Sequence, residues 1–142
     1  MRLSPRHRAW LYGSFGLLFI SGVVWLSLHW WFRPKGEFGE TVHPAEPWLL
    51  KIHGAAAMAA LVVLGTLLPG HVRRGWNTRR NRFSGVELLI LNGVMIVSGY
   101  GLYYAGGESF RSAISITHWI AGLMFPASLA WHIWQGRKLR ST

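Results

Sequence analysis

Four long stretches of this chain are almost free of charge, and they constrain the fold more than anything else in it. They run from Trp10 to Phe32, Trp48 to Leu68, Val86 to Tyr104 and Ile114 to Trp134. A helix crosses the hydrocarbon core of a bilayer with about 20 mainly apolar residues. All four stretches meet that length, with Lys51 and His53 near the start of the second and Glu87 at the start of the third. Trp and Tyr gather at their ends: Trp10, Tyr12, Trp30, Trp31, Trp48, Tyr103, Tyr104 and Trp134. Amphipathic aromatic rings favour the headgroup level, so this is the distribution of an interfacial belt. The first stretch ends in Leu28-His29-Trp30-Trp31 with no small-residue cleavage site, and reads as a retained helix rather than a signal peptide.

The sequence therefore predicts an all-α integral membrane protein, a four-helix up-down bundle. Its single domain covers residues 1–142, with helices at about 10–32, 48–70, 86–104 and 114–134. The net charge of +10 invites a nucleic-acid reading, but the positions of the charges argue against it. Arg2, Arg6 and Arg8 precede the first stretch. Arg73, Arg74, Arg79, Arg80 and Arg82 lie between the second and third, and Arg137, Lys138 and Arg140 follow the fourth. With four crossings these eleven cations share one side. Arg33, Lys35, Lys51 and Arg111 lie on the other, balanced by Glu37, Glu40, Glu46 and Glu108. The excess of Lys and Arg marks the cytoplasmic side, so both termini are expected there, and the basic segments are expected at lipid headgroups rather than on nucleic acid.

With no Cys, disulfides, iron–sulfur clusters and covalent c-type haem attachment are excluded. The chain has no Asp, phosphate loop or paired carboxylates to support group-transfer chemistry. It has seven His. His53 and His118 lie near the outer ends of the second and fourth helices, at similar depth. His71 and His132 lie near the inner ends of the same helices. At about 100° per residue, the eighteen steps from His53 to His71 return to one face, and the fourteen from His118 to His132 end about 40° away. Two imidazole pairs stacked across a bilayer suit two bis-His b-type haems, because neutral imidazole binds iron axially. The spacings differ by about 6 Å of rise. Pro69-Gly70 and Pro126 could absorb that by bending. His7 is the alternate for the inner pair, His29 for the outer, and His43 the weakest candidate. Lys51 and Arg111 are placed for outer haem propionates, and Arg73, Arg74 and Arg137 for inner ones. Headgroup contact accounts for the same cations equally well. Tyr103, Tyr104 and Glu108 are weak candidates to flank a quinone. Gly65, Gly93, Gly99 and Gly122 offer close helix packing or clearance for a flat cofactor.

At Lys51-Ile52-His53-Gly54, His118-Trp119 and His132 the chain resembles the bacterial four-helix b-type membrane cytochromes, the cytochrome b561-like class and the small membrane proteins grouped near it. That resemblance spans nearly the whole chain. It implies that His118 and His132 serve two haems b and that His53 partners His118; the inner partner in that class often comes from the start of the first helix, where His7 stands. His71 keeps that inner pairing open. The resemblance also implies the bacterial inner membrane, with quinone, quinol or a membrane or periplasmic redox protein as partner. The function expected is electron transfer between the quinone pool and such a partner. The alternative is a non-catalytic subunit that anchors or stabilises a larger membrane complex, its histidines serving as packing groups.

Overall fold

The structure, a computed structural model, describes residues 4–79 and 81–141, with side-chain detail as far as Leu139. Arg2, Arg80 and the Arg140 side chain lie outside the described residues. Four helices in it are long and apolar enough to cross a membrane. The chain divides into two compact units at Pro69–Gly70, and each is built on a pair of packed helices.

In the first unit, α1 spans Pro5–Trp31. It starts five residues before the apolar stretch because Ser4 caps it: the His7 N–H donates to Ser4 Oγ at 3.1 Å, and Pro5 occupies a first-turn position where its missing N–H costs nothing. A two-residue ladder follows, β1 (Lys35–Gly36) against antiparallel β2 (Gly39–Glu40), with Gly39 at φ +116° supplying the turn. Then α2 runs over Glu46–Leu67 and packs on α1.

The helix does not stop cleanly at Leu67. Leu68–Val72 forms a π-helical turn around Pro69-Gly70, and a short α3 (Arg73–Thr78) continues it. Proline cannot donate to the carbonyl one turn back, so widening the turn there accommodates it. At Pro69-Gly70, where the sequence allows a bend, the structure has this local widening.

In the second unit, Arg79 and Asn81 adopt left-handed backbone, with φ of 55° and 53°, and turn the chain into α4 (Arg82–Tyr104). The Arg82 guanidinium sits 3.8 Å from the centre of the Trp76 ring across that turn. Then α5 runs from Glu108 to Ser141, well past the expected end at residue 134, and packs on α4 with Pro126 inside it.

Most of the residues buried between the helices are small or polar, with Val63, Leu67 and Phe125 the larger apolar ones among them, and many large apolar side chains face outward. The small and polar buried ones include Ser14, Ser21, Ala56, Ala60, Ser84, Asn92, Ser98, Ala121 and Ser128, whereas Trp10, Ile20, Val62, Val97 and Phe83 face outward. In lipid, large apolar side chains lose nothing by exposure. Small residues let backbones approach, and buried hydroxyls find partners within the protein. Ser14, Ser21 and Ser98 each donate to the carbonyl four residues earlier, at 2.8, 2.7 and 2.6 Å.

Candidate functional site

Three of the four expected ligand histidines are seated in the same way. His53 on α2 has Nδ1 3.0 Å from the Ser21 hydroxyl of α1. His118 on α5 has Nδ1 2.9 Å from the Ser98 hydroxyl of α4. His132 on α5 has Nδ1 2.9 Å from the Ser84 hydroxyl of α4. In each case the residue after the serine is glycine, and it faces Cε1 of the same ring. A Cβ built at Gly22 would stand 3.2 Å from Cε1 of His53, one at Gly99 3.2 Å from Cε1 of His118, and one at Gly85 3.6 Å from Cε1 of His132. The serine thus holds one corner of the imidazole while the glycine makes room for the next.

The seat of His132 is the most elaborate. Asn81 donates from Nδ2 to the His132 backbone carbonyl at 2.9 Å, and the Ser84 hydroxyl donates to Asn81 Oδ1 at 2.6 Å. His71, in the π-helical turn, brings its ring to 6.1 Å from that of His132, with the planes 71° apart. The two inner histidines are therefore neighbours within the second unit.

The alternates are held differently. His7 meets the Thr66 hydroxyl through Nε2 at 3.1 Å, and Thr66 donates to the Val63 carbonyl at 2.6 Å. This pair stands fourteen residues along α1 from Ser21, the interval that also separates Ser84 from Ser98. Each unit thus carries an imidazole–hydroxyl pair towards each end of its helices. His29 is drawn into other work. Its Nδ1 lies 3.1 Å from Oε2 of the buried Glu46, and its ring stacks on Trp25 at 4.7 Å. The other Glu46 oxygen accepts from the His43 N–H at 3.3 Å, and His43 Nδ1 accepts from the Ala45 N–H at 3.1 Å. Glu46, His29 and His43 together tie the loop to the start of α2.

The candidate cations are exposed. Lys51 lies over Trp48, 4.4 Å from the ring centre, and Arg73, Arg74, Arg111 and Arg137 point outward. Tyr103 and Tyr104 are exposed, and Tyr104 packs on Tyr100 at 4.5 Å. Glu108 lies in the first turn of α5 and is exposed. Among the described residues, no three or more His and Glu side chains gather into one metal-ion cage. Each unit has an open groove, about 480 Å³ along Gly13, Ser14, Ala55, Ala56 and Ala59 in the first and about 340 Å³ along Val86, Ile90, Leu91 and Met124 in the second. Their linings are almost wholly apolar, which suits an acyl chain or a flat aromatic ring and not a polar substrate.

Depth and face place the histidines but say nothing of their supports, Ser21, Ser84, Ser98, Asn81 and Thr66. One signal was present. Ser-Gly occurs at 21–22, 84–85 and 98–99, and the Ser84-to-Ser98 interval equals the His118-to-His132 interval. Two helices packed antiparallel with equal intervals face one another at both levels. Of the glycines singled out in the sequence, Gly99 makes such an approach, whereas Gly65, Gly93 and Gly122 have nothing within 4 Å of a built Cβ. Comparison with protein-family models, curated proteins and solved structures finds no match for this chain.

Proposed function

We propose that this chain is a b-type cytochrome of the bacterial inner membrane, carrying electrons between the quinone pool and a redox partner through bis-His haem b. The observation that carries the reading is the shared seat of His53, His118 and His132, each tethered by a serine at Nδ1 beside a glycine. Metal-bound histidine usually has its second nitrogen engaged by a protein acceptor, which fixes the ring and raises its basicity. A tether at Nδ1 directs the other nitrogen, Nε2, toward ligation. A polar ring inside a span is costly, and three rings built into the same support are hard to account for as packing alone.

In this reading His53 and His118 would hold the outer haem, and His132 would hold the inner one. For its partner, His71 has proximity in its favour. Its ring centre is 6.1 Å from that of His132. His7 remains the alternate, since it is held by Thr66 at Nε2 and would have to ligate through Nδ1. Haem b, when bound, supplies a one-electron ferric–ferrous couple. The protein's part is to hold the ligating rings, surround them with apolar side chains, and place Lys51 and Arg111 for propionates. The proposed topology has both termini in the cytoplasm.

The test is direct. The full chain, expressed in haem-replete cells and purified in mild detergent, should show a reduced-minus-oxidised b-type spectrum with one or two haems per chain. His53→Ala and His118→Ala should each abolish the same component, and His132→Ala the other. A colourless, haem-free protein would overturn this reading in favour of a non-catalytic membrane subunit.

A further inference from the structure

We infer that Ser21, Ser98 and Ser84 act as hydrogen-bond acceptors that hold His53, His118 and His132 in the tautomer protonated at Nδ1, which makes them positioning residues for the ligating Nε2. The inference rests on the haem reading for its purpose but not for its chemistry. The chemistry follows from counting protons.

A serine hydroxyl has one proton and two lone pairs, and a carbonyl oxygen can only accept. Ser98 Oγ lies 2.6 Å from the Val94 carbonyl oxygen. Two oxygens that close require a proton between them, and only Ser98 can supply it. Its proton spent, Ser98 meets His118 Nδ1 with a lone pair, so Nδ1 carries the hydrogen and donates. Ser21 repeats the arrangement: its hydroxyl donates to the Leu17 carbonyl at 2.7 Å, and His53 Nδ1 lies 3.0 Å away on its accepting side.

For His132 the direction is set by a closed loop. Its own backbone carbonyl can only accept, so the Asn81 amide must present Nδ2 to it. Asn81 Oδ1 therefore faces Ser84 and takes the hydroxyl proton across 2.6 Å. Ser84 is left to accept from His132 Nδ1 at 2.9 Å, a shorter contact than the 3.3 Å between Nδ1 and Asn81 Nδ2, whose shorter hydrogen bond, 2.9 Å, goes to the His132 carbonyl. The loop runs from the backbone of His132 through Asn81 and Ser84 to its own ring, so ring orientation and tautomer are set together. In all three rings the nitrogen with the lone pair is Nε2, the one that binds a metal. A serine that donated to Nδ1 would give the opposite tautomer and leave Nε2 protonated, unable to ligate.

The experiment uses the full chain, labelled with 15N-histidine, grown under haem depletion and purified in detergent. Long-range 1H–15N correlations report which ring nitrogen carries the proton. His53, His118 and His132 should all show the Nδ1–H pattern. Ser84→Ala should move His132 to a mixture of tautomers, and Ser84→Thr, which keeps an accepting hydroxyl, should restore the single form. Asn81→Leu is the sharpest variant. It returns the Ser84 proton, which then donates to Nδ1 and inverts His132 to Nε2–H. A merely structural role for Asn81 would produce no inversion. An Nε2–H pattern in the unsubstituted chain, or an unchanged Nδ1–H pattern in both Ser84→Ala and Asn81→Leu, would overturn the inference. With haem loaded, Ser84→Ala should raise the midpoint potential of the His132 component, because losing the Nδ1–H bond makes the ligand less basic. No shift would overturn the tuning role. Locked tautomers in a chain that never takes up haem would overturn the proposed function alone. Haem binding with unlocked tautomers would overturn this inference alone.

Discussion

At the residue scale, the glycines beside the three serines make a graded prediction. A methyl group at position 22 or 99 would stand 3.2 Å from a histidine Cε1, tighter than ordinary contact, whereas at position 85 it would stand at 3.6 Å. The rings cannot give way without straining the bond at Nδ1. Gly99→Val is therefore expected to cost about 1–3 kcal/mol, the usual range for overpacking. It should also perturb the spectral component that depends on His118. Gly85→Ala meets only van der Waals contact and should be neutral, or stabilising by about 0.5–1 kcal/mol through helix propensity. Thermal unfolding in detergent, followed by circular dichroism, checks both. Equal destabilisation by the two would show that clearance for the ring is not what the glycines provide.

At the element scale, the start of α2 depends on one buried carboxylate. Glu46 is 4% exposed and receives both the His29 ring and the His43 backbone N–H. Ala45, the residue preceding α2, gives no side-chain cap, and Glu46 in the first turn instead anchors the loop before the helix through the His43 N–H and the His29 ring. Glu46→Ala leaves two donors without their acceptor and should destabilise the first unit by about 1–3 kcal/mol. Limited proteolysis should then cut the segment from Arg33 to Pro44 faster than in the parent chain. Glu46→Gln keeps an oxygen for the His43 N–H and should fall between the two. The same contacts explain why His29, an acceptable outer ligand by position alone, is already engaged in joining α1 to the loop. The π-helical turn at Leu68–Val72 is the other element-scale feature, and it carries His71 to within 6.1 Å of His132. Pro69→Ala removes the reason for the wide turn. If His71 is the inner ligand, the component lost in His71→Ala should also shift in Pro69→Ala, while the His53 component stays in place.

At the scale of the whole molecule, what decides the environment is the inversion of the usual burial rule. Serines, alanines and an asparagine lie between the helices, while Trp10, Trp31, Val62, Val97 and Phe83 are exposed. Such a surface suits a lipid environment, as do the four helices long and apolar enough to cross a membrane. The absence of cysteine makes the proposed orientation easy to test. Phe38, almost completely exposed in the first loop, and Lys138, in the last turns of α5, can each be replaced singly by cysteine. In intact spheroplasts a membrane-impermeant maleimide should label Phe38→Cys and spare Lys138→Cys until the membrane is broken. The reverse result would invert the topology and move the outer histidines to the cytoplasmic side.

The sequence alone determined the four spans and the ordering of the histidines along them. Hydrophobic length and the cost of a charge in lipid are properties of each segment by itself. It also carried the asymmetry of Arg and Lys, because counting charges between spans needs no contacts. It did not show which side chains meet. Helix limits moved outward by up to seven residues at the end of α5, where Arg137 and Lys138 continue the helix beyond the apolar run and Lys138 lies 5.4 Å from the Trp134 ring centre. The pairing of Ser21 with His53, of Ser98 with His118 and of Ser84 with His132 depends on the register of packing between helices, which no single helix encodes. The proton on each imidazole depends on that register too, through whether a neighbouring hydroxyl has already given its own proton to a carbonyl. Only the tertiary structure decides that, because a hydrogen bond has a direction only once both partners and their other contacts are in place.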